Sequence, residues 1–317
     1  MPPGEPGGEK GEKIGRPAYR VPESRKVRYI VHTDCRNDAD DQFTLAHCLL
    51  TPMLDIKGII AGHFDSCCGS FPAGTTARES YEEIQRVMDA MDMTGMYPVK
   101  CGSGIPMPDE ETPVDSEGAQ LIIREAMKED SRPLYTGMQG AMTDLASAIL
   151  MEPRICGRMT AIWIGGGPYP EGGEKFNLCH DVAAANVVMR SSMPLWQVPS
   201  NVYKCFAVSR VKPFGKLGAC LFDQLTELNL ELCGRAPDFN WPHGELWGLG
   251  DEGVIAALMH EGQRTDLYRM VPAPAIDHQT FAYDLHTDNR RIRVYDRMDY
   301  RLTLEDLFCK IEILAQE

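Results

Sequence analysis

The sequence predicts an α/β fold: an open, mostly parallel, Rossmann-like sheet with helices on both faces and a helical C-terminal part. Two observations lead there. From Val27 onward, short β-branched or apolar runs alternate with longer segments of helical period, the order expected of strands laid side by side through helical crossovers. The 317 residues are 43% hydrophobic and 25% charged, an ordinary globular composition with enough apolar mass for a large core.

Residues 1–25 (MPPGEPGGEKGEKIGRPAYRVPESR) are rich in Gly, Pro and charge and have almost nothing to bury. They read as a disordered tail, with a single α/β domain over 26–317. Strands are expected at 27–33 (VRYIVHT), 54–61, 97–102, 133–137, 160–166 and 195–200, where branched and aromatic side chains suit a pleated, buried surface. Helices are expected between them, at 40–50, 75–91, 116–129, 142–151 and 181–192, where apolar residues recur three and four apart. Beyond residue 200 the pattern is mainly helical, with GKLGACLFDQLTELNLELC and DEGVIAALMHEG, then RIRVYDRM and a final helix. No internal repeat is visible.

A formal net charge of −14 argues against a surface that grips nucleic acid or anionic lipid, because both need clustered Lys and Arg. No apolar run reaches membrane-spanning length. The eleven cysteines are scattered, odd in number and without zinc spacing, so they are expected to be reduced thiols in a cytoplasm. Cys67 and Cys68 are adjacent, but no local feature marks either as activated.

In open parallel sheets ligands bind beyond the carboxyl ends of the strands, so polar residues just after strands take priority. The first such segment is TDCRNDADDQF, with Asp34, Asp38, Asp40 and Asp41 within eight residues. Carboxylates so crowded repel one another, and a hard cation relieves this by collecting their oxygens. The simpler reading, that Asp38, Asp40 and Asp41 cap the following helix, does not account for Asp34. A phosphatase-type site would want Asp-x-Asp here, and Asp34 is followed by Cys35 and Arg36.

His32-Thr33-Asp34 and the pair Asp40-Asp41 resemble the opening D-T-D-P-G-x-D-D motif of the nucleoside hydrolase family, inosine-uridine type, whose carboxylates hold calcium. Two extra residues precede the pair, so Asp38 competes with Asp40 for one role. Three later segments are similar in the same order: GMQGAMTDLASAI (137–149), WIGGGPYPEGGEKFNLCHDVAAANVV (163–188) and WGLGDEGVIAAL (247–258). The resemblance covers most of the chain from Val27. It implies Ca2+ held by Asp34, Asp41, the Thr143 backbone carbonyl and Asp251, with Asp34 as the catalytic base. It also implies a nucleoside substrate, with Asp40 and Asn177 on ribose hydroxyls, Glu174 as a stand-in for the family's Glu, His63 where an Asn is usual, and Trp247 near the base. A homodimer or homotetramer is expected by the same resemblance. Each segment also has a structural reading: Thr143 and Asp144 could start a helix, Asn177 a turn, and Asp251 could cap a helix.

The departures from the family pattern bear on the substrate. Gly250 stands where many members have the His that protonates the leaving base, leaving His243, Trp247, Tyr169 and His180 as alternatives. Lys175 stands at the Glu position before Phe176-Asn177. These changes suggest a divergent subgroup, with a modified nucleoside such as queuosine as one candidate substrate. Two other readings stay open: a ribose or nucleoside binder that keeps the metal but not turnover, and a metal-dependent phosphoester hydrolase. The latter would want a cation in the cluster, where Arg36 is the sole candidate.

Overall fold

The computed structural model describes residues 19–65, 71–173, 176–209, 218, 221, 245–286 and 288–315. Its elements in chain order are β1 (Val27–Thr33), α1 (Asp41–Leu49), β2 (Leu54–Ala61), α2 (Thr76–Ala90), β3 (Val99–Cys101), α3 (Glu117–Ala126) and β4 (Leu134–Met138). Then come α4 (Thr143–Met151), β5 (Thr160–Ile164), α5 (Phe176–Cys179), α6 (Val182–Arg190), β6 (Leu195–Val198) and α7 (Ser200–Tyr203). The C-terminal part holds β7 (Ala207–Ser209), β8 (Leu246–Gly248), α8 (Gly253–Met259), β9 (Tyr268–Pro272), β10 (Ala275–Ile276), β11 (Tyr283–Asp284), β12 (Arg291–Tyr295) and α9 (Tyr300–Ala315).

Eight strands form one sheet in the order β3-β2-β1-β4-β5-β6-β12-β9. All neighbours are parallel except β12 and β9. β1 lies near the middle with both faces covered, so Arg28 to Thr33 are all buried and Tyr-Ile-Val reads as a continuous apolar run rather than an alternating one. One core layer packs Phe43, Ile84, Val87, Met88 and Ile255 on one face. The other packs Leu121, Leu145, Val187 and Val188 on the opposite face.

Local chemistry sets the helix starts. The Ser116 hydroxyl accepts from Ala119 N at 2.9 Å ahead of α3, and Asp181 Oδ1 accepts from Ala184 N at 2.8 Å ahead of α6, each meeting an otherwise orphaned amide. The strand expected at 160–166 stops at Ile164, because Gly165 and Gly166 turn away, Gly166 with φ 76°. This left-handed conformation suits a residue without Cβ.

Beyond residue 200 the described residues hold helices and also strands that the helical pattern does not announce. β9 and β12 extend the central sheet, and the Arg293 guanidinium lies 3.8 Å from the Trp196 ring centroid and 4.0 Å from that of Tyr268. This stacking joins the late strands to β6. Most of GKLGACLFDQLTELNLELC, residues 1–18, and Cys67, Cys68, Glu174, Lys175 and His243 lie outside the described residues. The expectation of uniformly reduced cysteines is also corrected. Cys35, Cys48, Cys101, Cys156, Cys205 and Cys309 are free, but Cys179 is disulfide-bonded, which removes the argument from reduced thiols for a cytoplasmic setting. No described helix is long and apolar enough to cross a membrane.

Candidate active site

The chain runs from β1 to β2 on one side and later places β4 on the other, so the crevice beyond β1 and β4 is a topological switch point, where open sheets bind ligands. Asp34 follows β1 directly. Gln139 N donates to His32 O at 2.9 Å across the same gap. The next residue, Gly140, lies against Asp34 so closely that a Cβ there would come within 2.7 Å of Asp34 Cγ.

The acidic run does not act as a helix cap. Asp40 occupies the cap position of α1, but its side chain makes no capping bond. Instead Asp40 Oδ2 accepts from the backbone N–H of Asp251 at 3.1 Å, across 211 residues. Asp41 accepts from the Thr33 hydroxyl, and its carboxyl is hydrogen-bonded to that of Asp251. Asp34, Asp38, Asp40, Asp41 and Asp251 are each at most 7% exposed.

Four of these carboxyl groups, Asp34, Asp38, Asp41 and Asp251, resist ionisation on their own. Burial, with lesser pressure from Asp40, pushes Asp34 up to about 7 although a hydrogen bond from Asn37 pulls the other way. Burial and the neighbouring acids push Asp38, Asp41 and Asp251 well above the usual carboxylate range. Ligand oxygens of Asp38, Asp40 and Asp41 lie within 4.8 Å of one another, and Asp38 Oδ1 and Asp40 Oδ1 are buried without a hydrogen-bond donor. A divalent cation fits this donor set: it would let the carboxyls ionise together and would satisfy the orphaned oxygens. All donors are hard oxygens, which suits Ca2+ or Mg2+ rather than a thiophilic metal.

Beside the cluster opens a cavity of about 440 Å³, lined by Asp38, Asp40 and Asp251 together with Ile164, Phe176 and Tyr203. Gln139 and Asn177 also line it. Asn177 Nδ2 is fixed by the carbonyls of Gln139 and Ile164, each at 3.0 Å, which leaves Asn177 Oδ1 buried and unmatched, as are both amide atoms of Gln139. Buried polar atoms in that state suit a ligand rich in hydroxyls.

The remaining sequence candidates are placed differently. His63 Nε2 lies 2.7 Å from Thr143 Oγ1, which donates to Asp181 Oδ2 at 2.7 Å. This chain ties the end of β2 to α4 and α6, and burial lowers the His63 pKa, keeping the ring neutral. The Trp247 indole N–H donates to Ala39 O at 3.2 Å, so the ring braces the acidic loop from behind. His180 Nε2 accepts from Asn37 Nδ2 at 3.2 Å, and burial lowers its pKa to about 3. Tyr169 lies beside Tyr283 and donates to Pro272 O at 3.3 Å. Arg36 pairs with Glu83 on α2 at 3.5 Å.

Sequence reasoning missed Asn37, whose Nδ2 holds Asp34 Oδ2 at 3.0 Å, and the cavity residues Gln139, Tyr203 and Lys204. Asn37 lies between Asp34 and the Asp40-Asp41 pair, in the stretch that is two residues longer than the family motif, a signal that could have marked it. The other three stand in unremarkable local sequence.

An open α/β sheet whose switch point holds buried carboxylates beside a cavity with unmatched polar atoms can hold a divalent cation next to a polar ligand. The chain belongs to the inosine-uridine preferring nucleoside hydrolase family, whose model matches residues 29–273, and it is therefore an N-ribosyl hydrolase by family. Among solved structures it is similar to a purine-preferring ribonucleoside hydrolase from Gardnerella vaginalis (17% identity, TM-score 0.70, covering 91% of this chain and 99% of that one). It is also similar to the plant nucleoside hydrolase PpNRh1 (15%, 0.67, 90% and 99%). A third similar structure is the type III effector protein XopQ complexed with adenosine diphosphate ribose (14%, 0.63, 95% and 96%). At these identities the likeness is one of fold. No curated protein sequence matches the chain significantly.

Proposed function

We propose that the chain hydrolyses the N-glycosidic bond of a ribonucleoside, giving free base and ribose, with Ca2+ as its cofactor. The observation that carries this is the buried acidic cluster opening directly onto a cavity where Gln139 and Asn177 present unmatched polar atoms. Asp34, Asp41, the Thr143 backbone carbonyl and Asp251 would hold the ion, with Asp38 at hand. When bound, the cation supplies positive charge that acidifies water and orients ribose hydroxyls.

The chain's own residues do the rest. Asp34, steadied by Asn37, takes the proton of the attacking water. Asp40 and Asn177 hold ribose hydroxyls and so fix the sugar over that water. The carboxylates place negative potential beside the oxocarbenium-like sugar of the transition state. His63 and Trp247 act from behind, holding Thr143 and the Asp38–Asp41 loop in place, rather than through contact with the base. A homodimer or homotetramer is the assembly the family resemblance implies.

The test is incubation with a panel of purine, pyrimidine and modified ribonucleosides, queuosine among them, with detection of free base and reducing sugar in calcium and in chelator. Release that depends on calcium supports the reading. Tight binding by calorimetry without release over hours would replace it with the non-catalytic binder.

A further inference from the structure

We propose that Tyr203 is the residue that faces the departing base and gives it a proton. The proposal rests on the nucleoside hydrolase reading and supplies the acid that Gly250 cannot. Two independent observations carry it. The first is steric: a Cβ at residue 250 would lie 2.9 Å from Tyr203 Cδ2 and 3.4 Å from Asp40 Oδ2. The Tyr203 ring therefore already fills the space that a side chain at 250 would take, beside the carboxylate assigned to the ribose.

The second is the composition of the cavity wall. Among the described lining residues, the groups with an exchangeable acidic proton are Asp38, Asp40, Asp251, Tyr203 and Lys204. The carboxylates belong to the sugar and metal end. Lys204 is exposed, at the C-terminal edge of α7. Tyr203 is 6% exposed, and its backbone is held on both sides, with its own N–H on Pro199 O at 3.0 Å and its carbonyl accepting from Phe206 N at 3.0 Å. The sequence alternatives Trp247, Tyr169 and His180 do not line this cavity, and His243 lies outside the described residues.

The step balances. The C1′–N bond breaks with its electron pair passing to the base, and the Tyr203 hydroxyl donates its proton to a ring nitrogen of that base. Water adds hydroxide to C1′ and loses its other proton to Asp34. Once products leave, Asp34 releases that proton to solvent and Tyr203 regains one, which restores the starting state.

The experiment compares wild type with Tyr203→Phe on two substrates: a purine ribonucleoside, whose base leaves poorly as an anion, and 4-nitrophenyl β-D-ribofuranoside, whose nitrophenolate needs no proton to leave. We expect turnover of the nucleoside to fall by about 100-fold and that of the nitrophenyl riboside by less than about threefold. Equal losses on the two substrates, or no loss on either, would overturn the assignment, as would Lys204→Met giving the selective loss instead. A melting temperature close to wild type checks that the variant is folded. Wild type that turns over neither substrate sinks the functional reading itself and this proposal with it.

Discussion

His47 Nδ1 lies 2.7 Å from Glu252 Oε2, which joins the helix that begins with Asp41 to the turn that carries Asp251. The other ring nitrogen lies 2.8 Å from Asp306 on α9, and Thr44 Oγ1 donates to Glu252 Oε1 at 3.3 Å. His47 and Glu252 are wholly buried. Removing one partner of such a pair strands a buried charge, at about 3 kcal/mol or more. His47→Ala should therefore lose stability of that order in urea unfolding. It should also weaken calcium binding, because Asp251 sits on the released turn. Wild-type stability together with wild-type affinity would dissolve the link between this pair and the metal end.

The same pair sets a pH window. Burial lowers the His47 pKa, but the Glu252 charge and the hydrogen bonds that the ring donates to Asp306 and Glu252 outweigh it and leave the net value raised above 6.5. A raised folded value means that the stabilisation is complete below the unfolded value and is lost as pH rises through the folded one. Asp306 moves the opposite way: burial opposes the shift, but bonds to His47 and Lys310 bring it down to about 2. Its contribution is present above the usual carboxylate value and lost as pH falls toward 2. The stability gap between wild type and His47→Ala should be widest between about pH 4 and 6.5 and should narrow on either side. Urea midpoints across pH 3 to 9 check this, and a gap that widens steadily into alkali would contradict it.

The buried acids should destabilise the fold when no cation neutralises them. Asp251→Asn keeps the shape and removes one carboxyl from a cluster in which Asp40, Asp41, Asp38 and Asp34 all press on it. In chelator the variant should melt above wild type. In millimolar calcium the order should reverse, since a ligand stabilises only the state that binds it. Differential scanning calorimetry in the two buffers gives the answer, and an unchanged order would speak against a cation site.

Gly140 is required by its neighbour rather than by its backbone conformation. A methyl group there would meet Asp34 Cγ at 2.7 Å, so Gly140→Ala must push Asp34 or the chain aside. We expect a stability loss of about 1–3 kcal/mol and a larger proportional loss of turnover, read from kcat beside the melting temperature. A variant with full activity would show that Asp34 tolerates displacement.

The architecture was largely legible because central parallel strands are apolar runs and the helices between them keep a 3.6-residue period. The acidic run of Asp34 to Asp41 was legible because carboxylates so close in sequence need an explanation wherever they fold. Its closure by Asp251 was reached through family resemblance; the bond from Asp251 N to Asp40 spans 211 residues, a distance over which local pattern carries no information. β9 escaped notice because an edge strand, half of it exposed, shows little periodicity. Tyr203 escaped because SNVYK resembles any short helical turn, and its role depends on a glycine far along the chain. His63 and Trp247 stand out by residue type, and their hydrogen bonds to Thr143 and Ala39 belong to the packed chain and to no local pattern. Residue type marks chemistry, but only the packed chain decides which way a side chain is spent.

The central claim, that the cluster beyond β1 drives ribosyl transfer to water, is met most directly by measuring ribose release from a ribonucleoside in calcium by wild type and Asp34→Ala. The account requires release by wild type, a loss of about 10³-fold or more in the variant, and a folded variant by circular dichroism. Equal release by the two proteins would contradict it.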